Sequence, residues 1–230
     1  MASSSTIRRD WALDFDVDDV VRSQSADPES VRAHRPKFIE LSERALADGL
    51  NLIEPVVLMR QLPVATSRHN RVMLANGSHL TGPLITEHLG GAHEVVVMLC
   101  TIGDKLGRKA VAESDTNLSY AFALDAVGSA AVHALSAAAC NQVEQDATSA
   151  GLQTSLPLSP GMEDWGVDPG QREVFSIIDP EEIGVVVSPT LEMRPLKSVT
   201  AIIGVGADIA TKGAICDYCG LRDTCRQKIV

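Results

Sequence analysis

Residues 117–149 limit most strongly what this chain can fold into. They contain LDAVGSAAVHALSAAAC, in which Leu124, Val127, Ala131, Leu135 and Ala138 fall on one helical face and Asp125, Ser129 and Ser136 on another. Apolar residues three and four apart line one side of an α-helix. The spacing therefore predicts a long core helix with one wet stripe, whose Ala, Gly and Ser side chains let neighbouring backbones come close. The same economy runs through all 230 residues, where hydrophobic residues are 45% but aromatics only 3%. The core has to be built from Ala, Val, Leu and Ile, in tight helix contacts and β-branched strands.

EVVVMLC (94–100) reads as a fully buried strand. VVLMRQLPV (56–64), RVMLAN (71–76), VVVSPTLEM (185–193) and SVTAIIGVG (198–206) read as further strands, with Asn76-Gly77 as a turn signal. Asp27-Pro28-Glu29-Ser30 opens a helical pattern carried by Val31, Phe38, Leu41 and Leu46 to Gly49. A short helix around 82–89 stops at Gly90-Gly91, and another from about Gln171 to Ile178 stops at Asp179-Pro180. Elements in this order, without regular β–α alternation, predict a single α+β domain. Its twisted, largely antiparallel sheet is flanked by helices, the long Ala-rich one among them. The domain is expected over 29–210, between a loosely held polar arm at 1–28 (DFDVDD, SQSADPES) and a cysteine-rich tail at 211–230.

The formal net charge of −10 argues against binding a phosphate backbone or an anionic membrane surface. No apolar run reaches the roughly 18 residues that suggest a bilayer span. The opening MASSSTIRRDWALDFD lacks the apolar segment of a secretory signal. Five cysteines, an odd number in a chain of ordinary domain size, point to a reducing compartment and a cytoplasmic location.

Most candidate chemistry reduces to structure. GVGAD (204–208) lacks the third glycine of a dinucleotide loop and reads as a strand end. The six histidines are scattered, and His133 shares a face with Ala126, Ala130 and Ala137, as a packing or surface residue would. Ser159 sits in no nucleophile elbow. Glu163, Asp164 and Asp168 are weighed as paired carboxylates against ordinary solvated loop residues.

CDYCGLRDTCR is sharper, placing Cys216, Cys219 and Cys225 within ten residues. A CxxC pair can grip one metal ion from a tight turn, and Cys225 lies near enough in sequence for a third bond. Zinc and an iron–sulfur cluster are both open, as are free thiols. A fourth ligand could come from Cys100, Cys140, a histidine, Asp217 or a partner chain.

One of the two tryptophans stands in a Pro/Gly loop, SPGMEDWGVDPGQ (159–171). With LDAVGSAAVHAL before it, REVFSIID after it and then IGVVVSPTLEMRPLKSVTAIIGVG, this loop resembles the activation (reactivation) domain of cobalamin-dependent methionine synthase. The resemblance extends to the stand-alone short members found beside corrinoid methyltransferases. It covers about residues 30–206 and is sharpest over 159–206.

The resemblance implies a role in corrinoid-dependent methyl transfer, with the chain docking on a corrinoid-binding methyltransferase protein that carries the cobalamin. It further implies that Ser159, Pro160, Gly161, Met162, Asp164 and Trp165 shape an S-adenosylmethionine site, with Trp165 as a wall of that site or as a plug holding the loop on the core. The family loop reads R-x-x-P-G-Y, whereas this chain has Pro157 at the arginine and Met162 at the tyrosine, and Pro189 where a glutamate is common. An Arg fork suits a carboxylate. Pro157 offers no donor, so the resemblance carries the fold further than it carries S-adenosylmethionine binding.

Three functions are thus expected in order. The first is an accessory or reactivation component of a corrinoid system, in a homo- or hetero-oligomer. The second is an S-adenosylmethionine-dependent reactivase or methyltransferase with an altered pocket. The third is a structural subunit binding zinc or an iron–sulfur cluster.

Overall fold

In a computed structural model, which describes residues 5–209 and 213–219, the strand expected at EVVVMLC runs through the middle of a seven-stranded sheet. The strands are β1 (Ser5–Arg8), β2 (Val56–Arg68), β3 (Arg71–Leu74), β4 (His79–Thr81), β5 (Glu94–Thr101), β6 (Gln153–Thr154) and β9 (Ser198–Gly206). Their order is β4-β3-β2-β5-β9-β6, every pairing antiparallel, with β1 also on β2. The long β2 serves two partners on one edge, pairing β1 through Val57–Arg60 and β3 beyond Val64. The short β7 (Val186–Val187) and β8 (Met193–Arg194) form a separate hairpin.

Alternation along β5 explains why it is apolar at every position. Val96, Met98 and Cys100 face one core, and Val95, Val97 and Leu99 face the other. Antiparallel sheets often leave one face to water, but this one is covered on both. On the first face lie α1 (Val17–Ser23), α3 (Pro36–Leu50), α5 (Lys105–Glu113) and α6 (Leu118–Ser149). On the second lie α4 (Pro83–Leu89), α7 (Val167–Ile177) and the Pro-Gly loop. Each buried Val, Leu or Ile contributes about 1.5–3 kcal/mol by leaving water.

The long helix α6 buries Leu124, Val127, Ala131 and Leu135 as its periodicity predicts, while Asp125 stays exposed. Gly49 of α3 seats against side chains of α6 and α5: a Cβ there would sit 3.0 Å from Val127 Cγ1 and 3.2 Å from Leu106 Cδ1. Among the described helices only α6 is long and apolar enough to cross a membrane, and 56% of its most apolar window is buried inside the fold. It is the core helix of an α+β domain.

Four expectations change. Residues 5–23 are built in, with β1 in the sheet and α1 burying Val20 and Val21 completely. The acidic run that reads as loose arm is a helix start, because Asp16 accepts from the backbone of Asp18 and Asp19 while the Asp19 side chain returns to Asp16 N at 3.0 Å.

The helix expected from Asp27 to Gly49 is two, α2 (Pro28–His34) and α3, because Pro36 lacks an N–H and turns Arg35 out of helical geometry. VVVSPTLEM is not one strand: Ser188 N bonds Glu192 O at 2.9 Å across a turn with Leu191 at φ 65°. Finally α7 begins at Val167, not Gln171, since Pro169 falls in its first turn, where no N–H is needed.

Candidate functional site

After β6 the chain continues along the edge of β9. Leu158 and Ile202 exchange backbone hydrogen bonds at 2.9 and 2.8 Å, and the Ser159 hydroxyl donates to Thr200 O at 2.9 Å. The hydroxyl is thus engaged with backbone. The Pro-Gly turn follows, with Gly161 at φ 101° and Asp164 at φ 59°, closed by Gly161 N to Trp165 O at 2.8 Å. Pro160 and Met162 are half-buried, and Gly161, Glu163 and Asp164 are exposed.

Trp165 is 2% exposed and plugs the loop onto the second core. Its Nε1 donates to Glu173 Oε2 at 3.2 Å, and Glu173 also accepts from the Thr81 backbone N–H at 3.1 Å and from the Thr81 hydroxyl. Close packing leaves no room for a side chain at Gly170, where a Cβ would lie 2.9 Å from both Pro160 Cβ and Trp165 Cε2. Asp168 is exposed and ion-paired with Arg172 at 2.9 Å, whose hydrogen bond lowers its pKa.

The two motifs singled out separately meet in space. The 3₁₀ turn Ile215–Tyr218 packs against the Pro-Gly loop, with Glu163 N donating to Tyr218 O at 2.9 Å and Met162 bridging Cys219. The Tyr218 ring stands edge-on to His88, centroids 4.7 Å apart. Cys216 and Cys219 are half-buried there, while Cys225 lies outside the described residues.

Cys100 and Cys140 belong to the core on the other face of the sheet, so neither can complete a metal site at this turn. Burial pushes both thiols up, Cys140 to about 11 and Cys100 further. Among the described residues no group of three or more His, Cys, Asp or Glu side chains could hold a metal ion.

A cleft of about 910 Å³ opens where β2 begins and β5 ends, and no residue from Ser159 to Trp165 lines it. Its floor includes Arg9, Val56 and Thr101, and its apolar wall is Val111 of α5, Leu118 and Phe122 of α6, and Leu196 before β9. These four apolar side chains are 73%, 58%, 62% and 62% exposed. Lys197 completes one side, its Nζ 2.9 Å from both Asp125 Oδ2 and Ser129 Oγ.

The stem of Lys197 lies on Gly128, where a Cβ would be 3.0 Å from Lys197 Cγ. The wet stripe of α6 is therefore the mount for a lysine from a distant segment. Sequence reasoning missed the cleft; its only signal was Leu118 and Phe122, apolar residues one turn apart outside the buried face of α6.

Thirteen solved chains match this architecture, among them the crystal structure of the MetH reactivation domain bound to AdoHcy. That match has a TM-score of 0.63 at 10% sequence identity and covers 94% of this chain and 83% of that one. The fold is that of the MetH reactivation domain. No family model matches the chain, and no curated protein does. At this identity the likeness to the reactivation domain is one of fold.

Proposed function

We propose that this chain is an accessory or reactivation component of a corrinoid-dependent methyl-transfer system, acting in the cytoplasm and docking on a corrinoid-binding methyltransferase protein. The observation that carries this reading is the likeness to the MetH reactivation domain across 94% of the chain. The sequence resemblance over the Pro-Gly loop and β9 supports it. In this reading the chain contributes a docking surface, and its cobalamin belongs to the partner.

The bound AdoHcy of the solved domain supports S-adenosylmethionine as a ligand of that fold. The loop residues here do not fit the same grip. Pro157 has no side-chain donor for a carboxylate, and the indole of Trp165 is turned inward at 2% exposure. We therefore derive no methyl-transfer step through S-adenosylmethionine in this chain.

A second reading rests on the packed CxxC turn. Cys219 N lies 3.4 Å from Cys216 O in a tight turn held by the Pro-Gly loop, which suits two thiolates converging on zinc or an iron–sulfur cluster with Cys225 as a third. Such a metal would tie the turn to the loop as a structural clamp.

The test uses a tagged full-length chain recovered anaerobically from native cells. Co-purification of a protein with corrinoid absorbance, identified by mass spectrometry, is the expected result, and recovery without any corrinoid protein refutes the docking reading. Metal analysis of the same sample decides the second reading: zinc or iron near one equivalent or one cluster per chain supports it, and a metal-free, colourless protein removes it.

A further inference from the structure

We propose that the strand-end cleft binds an amphipathic organic anion: an apolar or aromatic body bearing a carboxylate, sulfonate or phosphate. This inference is independent of the corrinoid reading and stands or falls separately from it.

The sheet register builds the floor. Arg8 pairs with Val57, so Arg9 follows beside Val56, Val56 pairs with Thr101, and Thr101 pairs with Ser198. Four adjacent strands thus end in one row, and three inter-strand steps of about 4.8 Å make that row about 14 Å across. Arg9 stands at one end of it, and Arg194 and Lys197 line the cleft from the other. Above the row, Val111, Leu118, Phe122 and Leu196 present the exposed apolar wall. A concentrated apolar patch rimmed by charge marks a binding surface. A volume of about 910 Å³ falls in the range of small-molecule sites, roughly 300–1,000 Å³.

Charge selects the sign of the ligand. Each carboxylate lining the cleft already has a cation: Glu54 with Lys105 at 2.8 Å, Asp104 with Arg108 at 3.1 Å, and Asp125 with Lys197 at 2.9 Å. Arg9 has no ion pair among the described residues, and the partner of Arg194 is Glu192, which is not a lining residue. With Arg194 paired to Glu192 just outside the cleft, the charge left uncompensated there is that of Arg9, which is positive, in a chain whose net charge is −10. Concave apolar walls concentrate that field. A guanidinium fork matches carboxylate, sulfonate and phosphate oxygens.

The test titrates the purified full chain with two fluorescent probes sharing one apolar body, anionic 1-anilinonaphthalene-8-sulfonate and neutral N-phenyl-1-naphthylamine. One saturable site per chain is expected for the anionic probe. Arg9→Gln with Arg194→Gln should weaken that site about tenfold, roughly one charge-assisted hydrogen bond, and leave the neutral probe unchanged. Phe122→Asp, or Leu196→Asp as a second variant, should remove both probes, with far-UV circular dichroism confirming the fold.

The proposal is overturned by absence of saturable anionic-probe binding, or by equal affinities that ignore the arginine substitutions. It is also overturned if sedimentation shows a dimer that Phe122→Asp dissociates, because the patch would then be an interface between copies.

Discussion

In the Pro-Gly loop the large aromatic side chain is 2% exposed and hydrogen-bonded, whereas on the wall of the strand-end cleft it is 62% exposed. Trp165 stands in the segment richest in recognisable motif residues; Phe122 belongs to a helix that reads as core. The loop must turn sharply through Gly161 and Asp164 and still stay attached to the sheet, so its most distinctive residues hold the turn in place. The cleft needs no turn of its own because strand ends and helix starts form it. A memorable motif and an available surface are therefore different things in this molecule.

The largest test of that contrast compares Trp165→Ala with Phe122→Ala. Loss of the buried indole should cost about 3–5 kcal/mol, with Glu173 left short of one donor, while Phe122→Ala should stay within about 0.5 kcal/mol. Urea unfolding followed by circular dichroism measures both. Comparable losses would show that the cleft wall is core after all.

A smaller pair inverts the sign. Gly170→Ala forces a methyl to 2.9 Å from Trp165 and Pro160 and should destabilise by about 1–3 kcal/mol. Gly107→Ala, on α5 beside the cleft with nothing within 4 Å of the added carbon, should stabilise by up to about 1 kcal/mol. Thermal melts of the two variants against the parent chain settle the signs.

The last comparison concerns the thiols on the face covered by α1, α3, α5 and α6. Cys140 rises from 9.0 to about 11, first because burial disfavours its thiolate. The unfolded chain ionises first as pH rises, so this group's stabilisation is complete below pH 9 and is lost between about 9 and 11. The urea midpoint should fall across that window, and Cys140→Ala should flatten the fall. A midpoint that drops equally in the variant assigns the effect to other groups.

Reading the residues in order recovers the parts governed by local repetition. The strands β5 and β9 and the helix α6 follow from runs whose apolar spacing leaves few alternatives, and Gly90 and Asp179-Pro180 end their helices as turn chemistry requires. Where reading failed, one residue with two local meanings was involved. Asp16 and Asp19 look like a solvated acidic run until they are seen to cap a helix, and Pro36 interrupts a pattern that periodicity alone carries through. The candidate site was legible only in part. The Pro-Gly loop and the cysteine pair could be named, but their packing against each other could not, since 50-odd residues separate Met162 from Cys219.

By itself the sequence determined an α+β chain with a small-residue core helix and an apolar central strand, because burial writes its period directly into neighbouring positions. The tertiary structure alone decided that Arg9, Thr101, Phe122 and Lys197 share one cleft, and that Trp165 faces inward. Strand register and the packing of two helical layers bring those positions together, and both arise from contacts between residues far apart in the chain, on which no local pattern bears.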